Sequence, residues 1–462
     1  MPNQEYELVV IGSGPAGQKG AICAAKFRRK VAIIDRKKML GGVCVNTGTI
    51  PSKTMREAIL YLSGLRQRAF YGRGYKLKDE ISIQDITVRV DSMVMRETEV
   101  IRDQLRRNHI TVFEGSARFI DPHTIELETT EGPLALRAQN VLIACGTRPA
   151  HTDSIPLDGK RIIDSDQLHC LENVPREAIV VGAGVVGLEY SSMLAALGVE
   201  VTLLDQRPTL LDFVDREILD NLCFQLRRQG TTFRLGEKVV QVGSEEDRGR
   251  VFAKLESGKT VHGEALLYAI GRQANTDQLN ISAAGLAVDG RGKLEVNEHY
   301  QTSVPHIYAA GDVIGFPSLA STSMEQGRLA SCHMFGKTFN KSTERFPYGI
   351  YTIPEISMVG PTEEQLTHDK VPYEVGIARY EDLAKGQMLG DDQGMLKLLF
   401  DPETFKLLGV HAIGEQATEI VHIGQAVLSF GGTIEYFRDT VFNYPTLAEA
   451  YKVAALDGLN KL

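Results

Sequence analysis

Two glycine-spaced turns carry the chemistry that this sequence can do. In VVIGSGPAGQ, Gly12, Gly14 and Gly17 stand in the G-x-G-x-x-G spacing between a strand-like run and a helix-like one. The first glycine permits a tight turn, the second lets backbone approach a pyrophosphate, and the third lets the helix pack closely on the strand. Free N–H groups at the helix start then meet the phosphates. Asp35 closes the next strand, where a carboxylate accepts hydrogen bonds from a ribose diol. The pattern returns as IVVGAGVVGLEYSSMLAALGVEVTLLD, with Gly182, Gly184, Gly187 and a terminal Asp205. Two such units predict two dinucleotide sites, hence a chain that holds both a flavin and a nicotinamide nucleotide. Just beyond Asp205 stands Arg207, a cation suited to a ribose 2′-phosphate.

These residues need sheets and helices to hold them. The chain has 462 residues, and at about 150 residues per domain that is roughly three domains. Residues 6–35 read as strand, turn, helix, strand, and Ile86, Val90, Met93, Val94, Val100, Ile101 and Leu105 mark one face of a long amphipathic helix. ITVFEGSARF and NVLIACGTRP return to strand-like runs, and TSVPHIYAAGDV places a strand ahead of Asp312. The expected division is 1–150, 151–275, 276–345 and 346–462. The expected fold class is α/β, with two Rossmann-like dinucleotide-binding domains plus a C-terminal α+β domain.

Composition narrows the partners. A formal net charge of -8 and few basic clusters argue against nucleic acid, and the Arg102–Arg107 and Arg227-Arg228 runs read as solvated helix faces. Six cysteines spread without a close pair predict neither a disulfide framework nor a zinc knuckle, and point to a reducing compartment. The first strand begins almost at Met1, and no apolar run is long enough to span a bilayer, so a cytoplasmic protein with no membrane partner is expected.

The first fingerprint, GGVCVNTGTIPSK, ACGTRP, the second fingerprint with Glu189, AIGRQANT, IYAAGD and FNYPTLAEAY occur in that order. Together they resemble the pyridine nucleotide–disulfide oxidoreductase family over essentially the whole chain. The resemblance implies FAD at Gly12, Gly14, Gly17 and Asp35, with Gly42, Cys44, Thr49, Lys53, Gly146 and Asp312 around it. It implies NAD(H) or NADP(H) at Gly182, Gly184, Gly187, Glu189, Asp205, Arg207 and Gly271. Lys53 and Glu189 match the family's lysine and acid beside flavin N5, where a cation stabilises charge on the reduced ring. A C-terminal dimerisation domain, and so a homodimer or higher homo-oligomer, is implied as well.

Departures from the family pattern set the expected activity. Disulfide reductases carry C-x4-C, but here Cys44 is followed by Thr49, whose hydroxyl cannot form a disulfide. The family's C-terminal His and Glu are matched by Tyr444 and Glu449, and an unperturbed tyrosine titrates near pH ~10, far from a neutral base. Both halves of the thiol machinery are missing. The Gly-Thr variant with FNYPT resembles the soluble, Si-specific transhydrogenase branch. That branch passes hydride from NADPH to NAD+ through FAD by a ping-pong cycle. Competing readings are an NAD(P)H quinone reductase or diaphorase, a lipoamide dehydrogenase-like enzyme, and a non-catalytic FAD-binding subunit.

Overall fold

The computed structural model describes residues 4–36, 39–72, 74–129, 132–150, 155–337 and 346–462. Two compact units emerge. One gathers Met1–Met55, Thr87–Ala150 and Gly271–Lys341, the other Arg56–Ile86, His151–Ile270 and Ser342–Leu462.

The first unit is built on strands that run almost wholly apolar, because helices and loops cover both faces of the sheet. Strand Gln4–Ile11 lies between Val31–Asp35 and Gly132–Ile143, all parallel, with Thr111–Glu114 beyond one side and Ile307–Ala309 beyond the other. Leu8, Val9, Val10, Ile33 and Ile34 are buried, each contributing about 1.5–3 kcal/mol. The long strand Gly132–Ile143 uses its first half to start an antiparallel extension with Thr124–Thr129 and Ser116–Asp121. Helix Pro15–Lys26 follows the first turn, with proline in its first turn, where no intrahelical N–H is lost. The helix expected around 86–105 runs Ile83–Arg107. Ile86, Val90, Ile101 and Leu105 are buried on its inner face, whereas Val100 is 47% exposed and belongs to the outer one.

In the second unit, Glu177–Val181 is flanked in parallel by Glu200–Asp205 and Ala265–Tyr268. Thr231–Leu235 and Ile162–Asp164 complete the five strands. A three-stranded antiparallel sheet, Val239–Glu245, Arg250–Leu255 and Thr260–Gly263, is separate from it. The C-terminal segment forms an antiparallel five-stranded sheet whose central strand, Leu407–Ile413, pairs with Ile356–Val359 and Met395–Phe400. Helix Glu449–Leu459 packs on its edge strand Glu374–Arg379 so closely that a Cβ at Gly376 would meet Ala454 O at 2.1 Å.

Candidate functional site

The two fingerprint turns have the same geometry. Gly12 and Gly182 both adopt φ +104, and a Cβ there would strike Ala144 O at 2.3 Å and Ala269 O at 2.4 Å. Only glycine tolerates that backbone without strain. Cβ atoms at Gly17 and Gly187 would lie 1.9 and 1.8 Å from Gly12 O and Gly182 O, so the helix sits directly on its turn. Among the described residues a Cβ at Gly14 or Gly184 would meet nothing within 4 Å. Each middle glycine therefore faces open ground at a helix N-terminus, the arrangement that admits a pyrophosphate.

Each turn is tied to its strand-end acid. Ser13 N donates to Asp35 Oδ2 at 2.6 Å and Ala183 N to Asp205 Oδ2 at 2.7 Å. The Ser13 hydroxyl also donates to Asp35 and accepts from Gly41 N at 2.9 Å, joining turn, acid and the Gly41-Gly42 loop. Burial pushes the Asp35 carboxyl up, against hydrogen bonds from Ser13 and the Arg36 N–H. A hydroxyl at the second position of the turn is the signal in GSGPAG that the motif reading passed over.

Gly42, at φ +63, sets that loop against the turn, since a Cβ there would meet Gly14 Cα at 2.9 Å. Cys44 follows on the short helix Gly42–Asn46, and Thr49 opens helix Thr49–Leu62. Their side chains are hydrogen-bonded to each other. Burial raises the Cys44 thiol, Thr49 and the Lys53 charge oppose this, and the Asp312 charge adds to it. The structure thus brings Cys44, Thr49, Lys53 and Asp312 together. Lys53 lies one helical turn beyond Thr49, its Nζ donating to Ser52 Oγ at 3.3 Å.

Asp312 begins a short turn after strand Ile307–Ala309, and its carboxylate accepts from Thr147 Oγ1 at 3.3 Å. Thr147 Oγ1 in turn accepts from Arg272 Nε at 2.8 Å. Burial raises the Asp312 pKa while the Arg272 charge lowers it. Gly146, at φ +63, faces open ground like Gly14. Gly271, expected with the nicotinamide residues, falls in the first unit, where its carbonyl accepts from Ala150 N at 2.9 Å.

In the second unit Glu189 is buried on helix Val185–Ala196, and its Oε1 accepts from Tyr351 N at 2.9 Å. Ile353 N donates to Ser192 Oγ at 3.0 Å, and Ser192 Oγ to Glu189 O at 2.7 Å. Segment 351–353 therefore fixes the acid through backbone N–H groups, which have no sequence signature. Arg207 grips Asp205 with both edges of its fork, Nε at 3.0 Å and Nη2 at 2.7 Å. Although burial opposes it, Arg207 holds the Asp205 carboxyl below the usual carboxylate range. The structure thus pairs the two side chains that the sequence assigned to a ribose and to a phosphate. Tyr444 is 73% exposed, and Glu449 starts the helix Glu449–Leu459.

The pyridine nucleotide-disulphide oxidoreductase profile matches residues 6–327, and the dimerisation domain of the same family matches residues 346–455. The chain belongs to this family. Membership implies FAD and nicotinamide nucleotides, which suits two open glycine turns each ending on a carboxylate. The chain is 53% identical to the soluble pyridine nucleotide transhydrogenase of Mycobacterium bovis, over 99% of this chain and 98% of the relative. It is 44% identical to that of Colwellia psychrerythraea, over 99% of each. Among solved structures it is similar to the HOCl-induced flavoprotein disulfide reductase RclA from Escherichia coli, with TM-score 0.87 and 28% identity, covering 98% of this chain and 99% of that one. LpdA from Mycobacterium tuberculosis has TM-score 0.89 and 26% identity, with the same coverage of 98% and 99%.

Proposed function

We propose that this chain is an FAD-dependent NAD(P)+ transhydrogenase that moves hydride between NADPH and NAD+ without a redox-active disulfide. The observation that carries the reading is Thr49 hydrogen-bonded to Cys44 in a family whose reductases need two sulfurs there. The names of relatives at 53% and 44% identity agree with it. When bound, FAD supplies the hydride relay between the two nucleotides.

In this reading segments 1–150 and 276–345 hold FAD, 151–275 holds the nicotinamide nucleotide, and 346–462 forms a homodimer. Gly14 and the N–H groups opening helix Pro15–Lys26 receive the flavin pyrophosphate, Asp35 its adenosine ribose, and Asp312 its ribityl chain. Lys53 supplies a cation to the flavin, and Glu189, held by Tyr351 N, serves the nicotinamide half. We place the enzyme in the cytoplasm; among the described residues no helix is long and apolar enough to cross a membrane.

The direct test mixes purified protein with NADPH and a thionicotinamide analogue of NAD+, without quinone. Reduced analogue should accumulate only when FAD is present, and none forming would refute the reading. Lys53→Met should slow NADPH-driven bleaching of the flavin band by roughly tenfold or more while shifting nucleotide affinity less. Stopped-flow bleaching at the parent rate would remove Lys53 from the chemistry. Thiol titration before and after NADPH should give the same count, because Cys44 has Thr49 rather than a second sulfur beside it. Two additional thiols after reduction would contradict that.

A further inference from the structure

Cys23 and Cys332 lie 309 residues apart in sequence, yet their sulfurs stand 3.6 Å apart within the first unit. Helices Pro15–Lys26 and Ala320–Met334 carry them, and small residues let these helices touch. A Cβ at Gly327 would meet Ala16 O at 2.0 Å, and one at Gly20 would meet Gly327 O at 3.1 Å. Ser331 Oγ donates to Gly20 O at 2.8 Å, pinning the crossing beside the cysteine pair. Arg328, clamped by Glu325, points Nη1 at Cys332 Sγ across 3.9 Å. Cys23 is partly exposed and Cys332 is buried, so a small oxidant reaches Cys23 first.

We propose that Cys23 and Cys332 form an oxidisable dithiol that a hydroperoxide converts to a disulfide, stapling the helix of the flavin turn to the helix after Asp312. The Cys23 thiolate attacks the peroxide, its O–O bond breaks, and the sulfur becomes sulfenic acid as an alcohol or water leaves. Cys332 then attacks that sulfur, the S–O bond breaks, and water departs with the Cys332 proton. Two thiols and one hydroperoxide thus give one disulfide, one water and one alcohol, or two waters from hydrogen peroxide. The sulfurs need only close to about 2.05 Å. Burial first, and the neighbouring Cys332 second, push the Cys23 thiol up to about 12, so the reaction is slow at neutral pH and quickens as the thiolate appears. None of this depends on the transhydrogenase reading.

The test treats holoenzyme with hydrogen peroxide at several pH values, stops it by denaturing in iodoacetamide, and maps peptides by mass. Expected is a peptide pair joined through Cys23 and Cys332, released by dithiothreitol, forming about tenfold faster per pH unit. The linked enzyme should melt several degrees higher, since the closed loop spans most of the chain. Cys332→Ser should abolish the link and carry Cys23 on to sulfinic acid, and Cys23→Ser should abolish it too. Exposed Cys170 reports that the oxidant acted. Oxidised Cys170 with Cys23 and Cys332 still alkylated would overturn the proposal, as would a link that leaves the melting temperature unchanged.

Discussion

Lys397→Met is expected to destabilise the protein by about 3–5 kcal/mol, the cost of leaving a buried acid without its counter-charge. Lys397 has no exposed side-chain surface, and its Nζ contacts Asp215 at 3.0 Å, Glu217 at 3.1 Å and Glu363. Burial alone would pull its pKa down, but the carboxylates outweigh it and the ammonium stays charged. Glu217 and Glu363 keep some exposure and can rehydrate, whereas Asp215 is fully buried and also caps helix Arg216–Arg228 through Glu217 N. Its other oxygen, Oδ2, has no partner among the described residues. His411, paired across the strands with Lys397, has its pKa lowered by burial, and its Nε2 bonds Pro361 O at 2.9 Å. A neutral imidazole there spares the cluster a second buried cation. Adding Asp215→Asn to Lys397→Met should recover part of the loss, because it removes the stranded charge. Urea unfolding of the two single variants and the double variant measures the coupling, and strictly additive losses would show that the cluster does not act as a unit.

The contrast between this cluster and the glycine turns explains what was legible. Gly12 and Gly182 were readable because their backbone, at φ +104 against a carbonyl, admits one residue type, so geometry is written into local sequence. Asp35 and Asp205 were legible by position, since each ends the strand that follows the helix of its glycine turn. Lys397 gave no such sign. In MLKLLF its burial depends on Asp215, Glu217 and Glu363, which come from distant segments, and nothing local records them. Val100 failed for the opposite reason, since an apolar residue at the margin of a helical stripe costs little when it faces water. The cysteines showed no close spacing, and Cys23 meets Cys332 only because two helices cross at Gly20 and Gly327. Backbone donors such as Tyr351 N leave no mark in side-chain identity at all.

Arg207→Ala should lower kcat/KM for NADPH by roughly ten- to a hundredfold, from the loss of a charge-assisted hydrogen bond of about 1.5–3 kcal/mol. A transhydrogenase must accept a 2′-hydroxyl from one nucleotide and a 2′-phosphate from the other. Asp205 alone would bond the diol and repel the phosphate. The guanidinium on its carboxylate, at 2.7 Å and 3.0 Å, cancels that repulsion before any nucleotide arrives. Nearly half of the Arg207 side chain is exposed, against 6% of Asp205, so the cation can be shared with or drawn to an incoming phosphate while the acid stays in place. Asp205 is meanwhile kept by Ala183 N at 2.7 Å, which does not depend on Arg207. If Arg207 takes the 2′-phosphate as we propose, removing it withdraws that ligand and uncovers the acid, and both effects fall on NADPH. NADH loses nothing it uses, and its kcat/KM should stay within about twofold. Arg207→Lys should fall between the two, retaining charge without the two-edged fork. Arg207 is half exposed but Asp205 is buried, so the substitution also leaves that acid with fewer partners and should lower stability, an effect that unfolding measurements separate from the kinetic one. Flavin-reduction kinetics with each nucleotide decide the matter: an equal loss for NADH and NADPH, or no loss for NADPH, would place phosphate recognition elsewhere.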